Sequence, residues 1–421
     1  MRLLYIVHRV PFPPNKGDKI RTYNVLRHLA RRHEVHVATL IDDPEDLAFL
    51  SELEQIAESV VSARIDGRIR KLLSLRAIFH SESVTVRHFY DIGLQRKVDE
   101  LIGSKNIDAV VCSSSPTAEY LLRSKHWDSR LKSCPKIMDL IDVDSLKWQQ
   151  YAERSTGPRR WVYRYEARHL QRYEAFIYNE FDQLFLVSEQ EKRCFPGGDP
   201  EGKIHGLSNG VDLEYFSPAV SARPQSQPPT IVFTGMMDYW PNIEGVRWFV
   251  TSVLPLIQRT LPEARLMVVG GRPTSEVLKW GAMDNITVTG FVDDIREFIA
   301  EADVCVAPLQ IARGIQNKVL EAMAMGKAVV STPYALEGIG ATPNVHALVA
   351  SDADQFAESV TRLLRDSGDA QSIGKAARQF VEQRFSWSHN LSLMDAVIEK
   401  AVSSGESDAR CDVTPGGDQI G

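Results

Sequence analysis

Cysteine, long apolar runs and an excess of positive charge are all scarce in this chain. The five cysteines (Cys112, Cys134, Cys194, Cys305 and Cys411) are scattered, odd in number and show no Cys-x-x-Cys spacing. They fit a reducing compartment and give no metal site. The apolar N-terminal stretch Leu3–Val7 is closed by His8 and Arg9. It is too short for a secretory core or a membrane span and reads as a first buried strand. A net charge of -6 argues against a general nucleic-acid binder, and the N-terminal half is only mildly the more basic one. No residue pattern suggests a Ser/His/Asp triad, a zinc site or a nucleic-acid module. The expected location is the cytoplasm.

What is present is an ordinary globular composition, 43% hydrophobic and 25% charged, over 421 residues, a length that favours two or more domains. Leu3–Val7 leads through a Pro- and Gly-rich loop, Val10–Lys19, into a helix at Ile20–Arg31 and a second strand at Val35–Leu40. Further strands are expected at Ala109–Cys112, Ile137–Ile141 and Gln183–Val187. A second strand–helix series follows, with strands at Ile231–Thr234, Arg265–Val269, Ile286–Thr289, Val304–Ala307 and Ala328–Ser331. Such alternation predicts parallel sheets covered on both faces, with ligand sites at the carboxyl ends of the strands. The expected organisation is an N-terminal Rossmann-like domain over 1–216 and a Pro/Ser/Gln-rich linker over 217–230. A second domain covers 231–385, a crossover helix 386–402 and a disordered tail 403–421.

Residues 312–331 carry the strongest functional signal. A polar turn holding Gly314 runs into a short helix, Gly326 ends that helix, and a buried strand follows. Unpaired N–H groups at such a helix start suit an anion. Lys318 can neutralise a phosphate there, and Glu321, one turn in, can accept hydrogen bonds from sugar hydroxyls. A plain αβ unit with a good helix start fits the same residues.

The segment closely resembles the donor-sugar motif of retaining GT-B glycosyltransferases of family 4. In that family a Glu just before Ala-Met-Ala holds the nucleotide ribose. Ser208-Asn209-Gly210-Val211-Asp212, Gly290-Phe291-Val292-Asp293-Asp294 and Phe385-Ser386-Trp387 match family segments in order, so the resemblance covers nearly the whole chain to about residue 400. Pro13–Arg21, Asp139–Trp148, Gly235–Trp248 and the Arg-Gly-Ile-Gln-Asn-Lys form of the motif narrow it. They look like the sugar transferases associated with exosortase/PEP-CTERM exopolysaccharide systems. The resemblance implies an α/β GT-B fold: two doubly wound Rossmann-like domains facing a central cleft, with a C-terminal helix crossing back to the first. It also implies a nucleotide-sugar donor, a lipid-linked or other glycan acceptor, and transfer with retention. Donor contacts would come from Lys16 and Gly17, from Gly235, from Gly314, Ile315, Gln316 and Asn317, and from Glu321, with Lys19 and Arg21 adding charge near Gly17.

Two positions depart from the family pattern. Its first motif Glu is replaced by Arg313, and the usual cation after Gly235 is replaced by Met236 and Met237. Arg313 is expected to stand in for that cation beside Lys318, since a guanidinium fork suits a diphosphate. Asp139, Asp142 and Asp144 end a first-domain strand. Asp142 is the candidate for holding a hydroxyl or acting as a base, although turn and cap roles remain open. No metal or other cofactor is expected.

Arg160, Arg164, Arg168 and Arg172 recur at i, i+4 on one predicted helix face, a spacing that is locally unfavourable. Such a ladder suits a membrane surface or a lipid diphosphate, and would put the protein peripherally at the inner face of the cytoplasmic membrane. The competing reading is a solvated face partly neutralised by Glu166 and Glu174. Two other functions also fit the residues. A nucleotide-sugar 2-epimerase would release the epimerised sugar without an acceptor, and a silent binder would hold donor without turnover.

Overall fold

The computed structural model describes residues 1–14, 17–66, 75–218, 228–312 and 315–411. Lys16, Arg313, Gly314 and most of the expected linker lie outside the described residues. The chain divides into two compact units: Met1–Leu207 with the chain from Leu391 onward, and Ser208–Asn390.

The first unit is built on a seven-stranded parallel sheet. Its strands are β1 (Arg2–Val7), β2 (Glu34–Ile41), β3 (Ser59–Arg64), β4 (Ala109–Ser113), β5 (Lys136–Ile141), β6 (Gln183–Leu186) and β7 (Ile204–Gly206). The spatial order is β3-β2-β1-β4-β5-β6-β7, so the winding direction reverses between β1 and β4. β1 reads Arg-Leu-Leu-Tyr-Ile-Val, and after Arg2 every residue is buried. That continuous run is what a strand covered on both faces requires. The helices that matter here are α1 (Gly17–Ala30), α2 (Val84–His88), α3 (Asp144–Glu153) and α4 (Gly157–Glu180). α1 begins three residues earlier than Ile20, so the expected loop after β1 is shorter.

The second unit holds a six-stranded parallel sheet. It comprises β8 (Thr230–Thr234), β9 (Arg265–Val269), β10 (Ile286–Gly290), β11 (Val304–Ala307), β12 (Val329–Ser331) and β13 (Leu348–Val349). The order β10-β9-β8-β11-β12-β13 reverses between β8 and β11. Its key helices are α5 (Trp240–Trp248), α6 (Asn317–Ala324) and α7 (Ser367–Arg384), and α8 (Trp387–Cys411) closes the chain. The two doubly wound sheets meet the expected fold class.

α6 ends where Gly326 was expected to end it. Gly326 has a φ of +67°, its N–H donates to the Met323 carbonyl, and the next N–H donates to Ala322. This is a Schellman cap, which needs a left-handed residue at that position. From Leu391 on, α8 belongs to the first unit, where Asp395 accepts hydrogen bonds from His28 at 2.8 Å and Arg32 at 3.1 Å. The expected disordered tail is corrected in part, because the helix runs on to Cys411. Within it the Ser403 hydroxyl donates back to the Glu399 carbonyl at 2.8 Å.

Candidate functional site

In open α/β sheets, ligands bind outside the carboxyl ends of the strands, where the winding reverses. In the second unit that point lies between β8 and β11, and Gly235 follows β8 directly. Gly235 has a φ of +149°, and a Cβ there would stand 2.7 Å from Asn242 Nδ2 and 3.0 Å from Lys318 Nζ. Only glycine leaves this corner open. Lys318 Nζ donates to Asn242 Oδ1 at 2.6 Å and lies 4.2 Å from the centre of the Phe233 ring. Asn242 is fixed in turn by donating to the Met236 carbonyl at 2.9 Å.

Burial pulls the Lys318 ammonium down to about 7, with the Glu321 charge working against the shift. Burial likewise pushes the Glu321 carboxyl up to about 7, against Lys318. Both charges are therefore held at some expense, and an anion arriving at Lys318 would restore the ammonium. Among the described residues the Glu321 carboxylate takes no hydrogen bond. Ile315 is buried, Gln316 is half-buried, and Asn317 accepts a bond from Asn209 at 3.3 Å. The second unit thus brings Gly235 and Lys318 together, with Glu321 one turn along α6.

Gly17 and Asp142 belong to the first unit. Gly17 is exposed as the first residue of α1. Asp142 follows β5 in a strained γ-turn: its N–H donates to the Leu140 carbonyl at 3.0 Å, and the intervening Ile141 has a φ of +71°. A β-branched residue rarely adopts that conformation. Burial pushes the Asp142 carboxyl up to about 6, with Lys147 opposing.

Several expectations for this unit are corrected. Lys19 and Arg21 are not loose charge near Gly17, because both are buried and paired. Lys19 Nζ reaches both Asp46 oxygens at 2.7 Å, and Arg21 forks onto Asp139 at 2.7 and 2.8 Å. Burying an ion demands such pairing. Asp139 is therefore a structural partner of Arg21. Nor does α3 use its own Asp144 as a cap: Glu174 of α4 accepts from the Ser145 N–H and hydroxyl.

The arginine ladder lies on α4, and Arg160, Arg164, Arg168 and Arg172 are all exposed. None forms an ion pair among the described residues. Glu166 and Glu174 do not neutralise them, since both are buried on the opposite side, where Glu166 caps α2 through Ser83, Val84 and Thr85. Trp161 and Phe176, 58% and 45% exposed, flank the ladder. Among the described residues no helix is long and apolar enough to cross a membrane, and no cluster of ligating side chains could hold a metal.

Residues 228–366 match the family Glycosyl transferases group 1. The matched stretch is about a third of the chain and lies within the second unit. Gly235, Asn242, Lys318 and Glu321 all fall inside the matched stretch. An uncharacterised 44.6 kDa protein from the cps region of Klebsiella pneumoniae is 21% identical over 394 residues, 91% of this chain and 96% of its own. A GDP-mannose-dependent α-(1-6)-phosphatidylinositol monomannoside mannosyltransferase of Mycobacterium tuberculosis is 29% identical over 225 residues. That match spans 48% of this chain and little more than half, 57%, of the mannosyltransferase. Anabaena HepE, solved in complex with UDP-glucose, aligns with a TM-score of 0.66 at 15% identity, over 96% of this chain and 100% of its own. The shared architecture is GT-B.

Two features escaped the sequence reading. Asn242 of the matched stretch stands in Trp-Pro-Asn-Ile, where nothing marks it as the partner of a lysine 76 positions away. In the first unit, His8 Nε2 donates to Asp18 Oδ2 at 3.2 Å, while its buried Nδ1 has no partner among the described residues. Burial opposes ionisation of Asp18, yet the His8 bond and Arg9 hold its carboxyl well below the usual range.

Proposed function

We propose that the protein is a glycosyltransferase. It takes a sugar from a nucleoside diphosphate sugar and passes it to a hydroxyl of a lipid-linked glycan, with retention at the anomeric carbon, in assembly of an exopolysaccharide. The observation that carries the reading is the corner at the β8/β11 reversal, where Lys318, Asn242 and Gly235 meet at the start of α6. In this reading Lys318 and Arg313 stabilise the departing diphosphate, and Glu321 accepts bonds from the ribose hydroxyls. Asp142 holds an acceptor hydroxyl. No metal ion takes part. The GDP-mannose dependence of the mycobacterial relative and the UDP-glucose bound to HepE support a nucleotide-sugar donor, and the cps-region relative supports a polysaccharide product.

The first test is calorimetry with UDP-, GDP- and ADP-sugars on wild type and Glu321→Ala. Loss of a charged acceptor should weaken the bound donor by about 1.5–3 kcal/mol, roughly 10- to 150-fold. Unchanged affinity in the variant would remove Glu321 from the donor site.

The ladder on α4 serves the lipid end of the reaction. Each arginine near an anionic surface contributes about 1 kcal/mol, so four give reversible docking without a span. Arg164→Gln with Arg168→Gln should lower co-sedimentation with phosphatidylglycerol vesicles and spare donor binding. Equal co-sedimentation at low salt would leave the ladder a solvated face.

A further inference from the structure

A cavity of about 260 Å³ opens in the first unit where α4 packs against the Ser81–Tyr90 segment. We propose that it binds a phosphate ester carried on an apolar chain, which rests on the lipid-linked acceptor of the reading above and says where its phosphate sits. Three guanidiniums line the cavity, those of Arg87, Arg123 and Arg172. Arg172 is also the last rung of the exposed ladder, so the ladder leads into the cavity.

The charge balance favours an anion. Glu119 is already committed, since it pairs with Arg123 and accepts from the Tyr173 hydroxyl at 2.9 Å. Arg123 is further fixed over the Tyr90 ring, 4.9 Å from its centre. Against the remaining carboxylate, Glu82, stand Arg87 and Arg172, neither of which forms an ion pair among the described residues. A neutral sugar would leave that positive excess unanswered, whereas a phosphate takes a guanidinium fork in two parallel bonds.

The aromatic lining points to an apolar group attached to the phosphate. Tyr90 and Tyr173 are half-buried, and Phe176 is 45% exposed beside Arg172. The volume falls below the range of roughly 300–1,000 Å³ usual for whole small-molecule ligands. It therefore suits a head group and the first carbons of a chain better than a nucleotide sugar. The wall is also held in place. Glu166 of α4 accepts from the Ser83 hydroxyl at 2.6 Å and from two backbone N–H groups of α2, and the Tyr165 hydroxyl donates to the Glu82 carbonyl at 3.1 Å.

The test uses the full chain with farnesyl diphosphate, inorganic pyrophosphate, farnesol and free mannose as probes, read by calorimetry. Farnesyl diphosphate should bind at least tenfold tighter than pyrophosphate or farnesol. The pair Arg87→Gln and Arg172→Gln, both at exposed positions, should weaken it at least tenfold, and Phe176→Ser by several-fold. Binding of UDP-glucose and GDP-mannose should stay within twofold. Equal affinity in the arginine variant would overturn the proposal. So would pyrophosphate binding as tightly as farnesyl diphosphate, or mannose displacing it. If farnesyl diphosphate binds in the expected way but no nucleotide sugar does, the cavity stands and the glycosyltransferase reading falls.

Discussion

Lys318→Met should lower kcat by about 10²- to 10³-fold while leaving the melting temperature unchanged or raised. The loss follows from the role proposed for Lys318. A preorganised donor aimed at charge that develops in the transition state is worth roughly two to three orders of magnitude in rate. Lys318 is preorganised by its 2.6 Å bond to Asn242 and its place over Phe233. The stability half follows from the sign of its shift. With the ammonium pulled down to about 7, the folded state holds this proton less tightly than the unfolded chain does. That disfavours folding at every pH below the unfolded lysine value and most strongly below 7. Methionine removes the penalty. An incoming diphosphate should reverse the shift, so donor binding at pH 8 should take up a proton, seen as a buffer-dependent enthalpy in calorimetry. The variant should lose that uptake. Wild-type turnover in Lys318→Met, or unaltered proton uptake, would remove Lys318 from the reaction.

The fold was legible because strand–helix alternation and buried apolar runs are local signals. Leu3–Val7 and Ile231–Thr234 could be read directly, as could the Gly326 cap. β3, β7 and β13 were missed for physical reasons. β3 is half-buried along most of its length, and β7 and β13 have only three and two residues, too few for a period to show. At the candidate site, Lys318 and Glu321 could be picked out because one turn of a single helix carries both. Asn242 could not, because its meaning depends on a crossover that returns Lys318 to the end of β8. The same limit explains the misreading of Lys19, Arg21, Glu166 and Glu174. Their charges suggested solvent or ligand, but long-range packing buries each against a specific partner. The strained backbone at Ile141 lies beyond any residue-type signal, since isoleucine is among the residues least suited to a positive φ.

Arg21→Met should destabilise the first unit by about 3–5 kcal/mol, the usual consequence of leaving one member of a buried ion pair alone. Arg21 and Asp139 are both 0% exposed. The guanidinium joins three parts of the unit at once. It projects from α1, forks onto Asp139 in β5 at 2.7 and 2.8 Å, and donates to the Leu207 carbonyl just beyond β7 at 2.7 Å. Methionine matches much of its apolar stem but strands a carboxylate in the sheet and a carbonyl at the end of the unit. At roughly 2–4 °C per kcal/mol for a unit of this size, the melting temperature should fall by about 6–20 °C. The second half of the experiment separates charge from packing. Arg21→Met combined with Asp139→Leu removes both ions, and apolar replacement of a whole buried pair is often neutral or stabilising. The double variant should therefore recover most of the loss in thermal or urea unfolding. A single variant within 1 kcal/mol of wild type, or a double variant no better than the single, would mean that this pair does not hold β5 to α1.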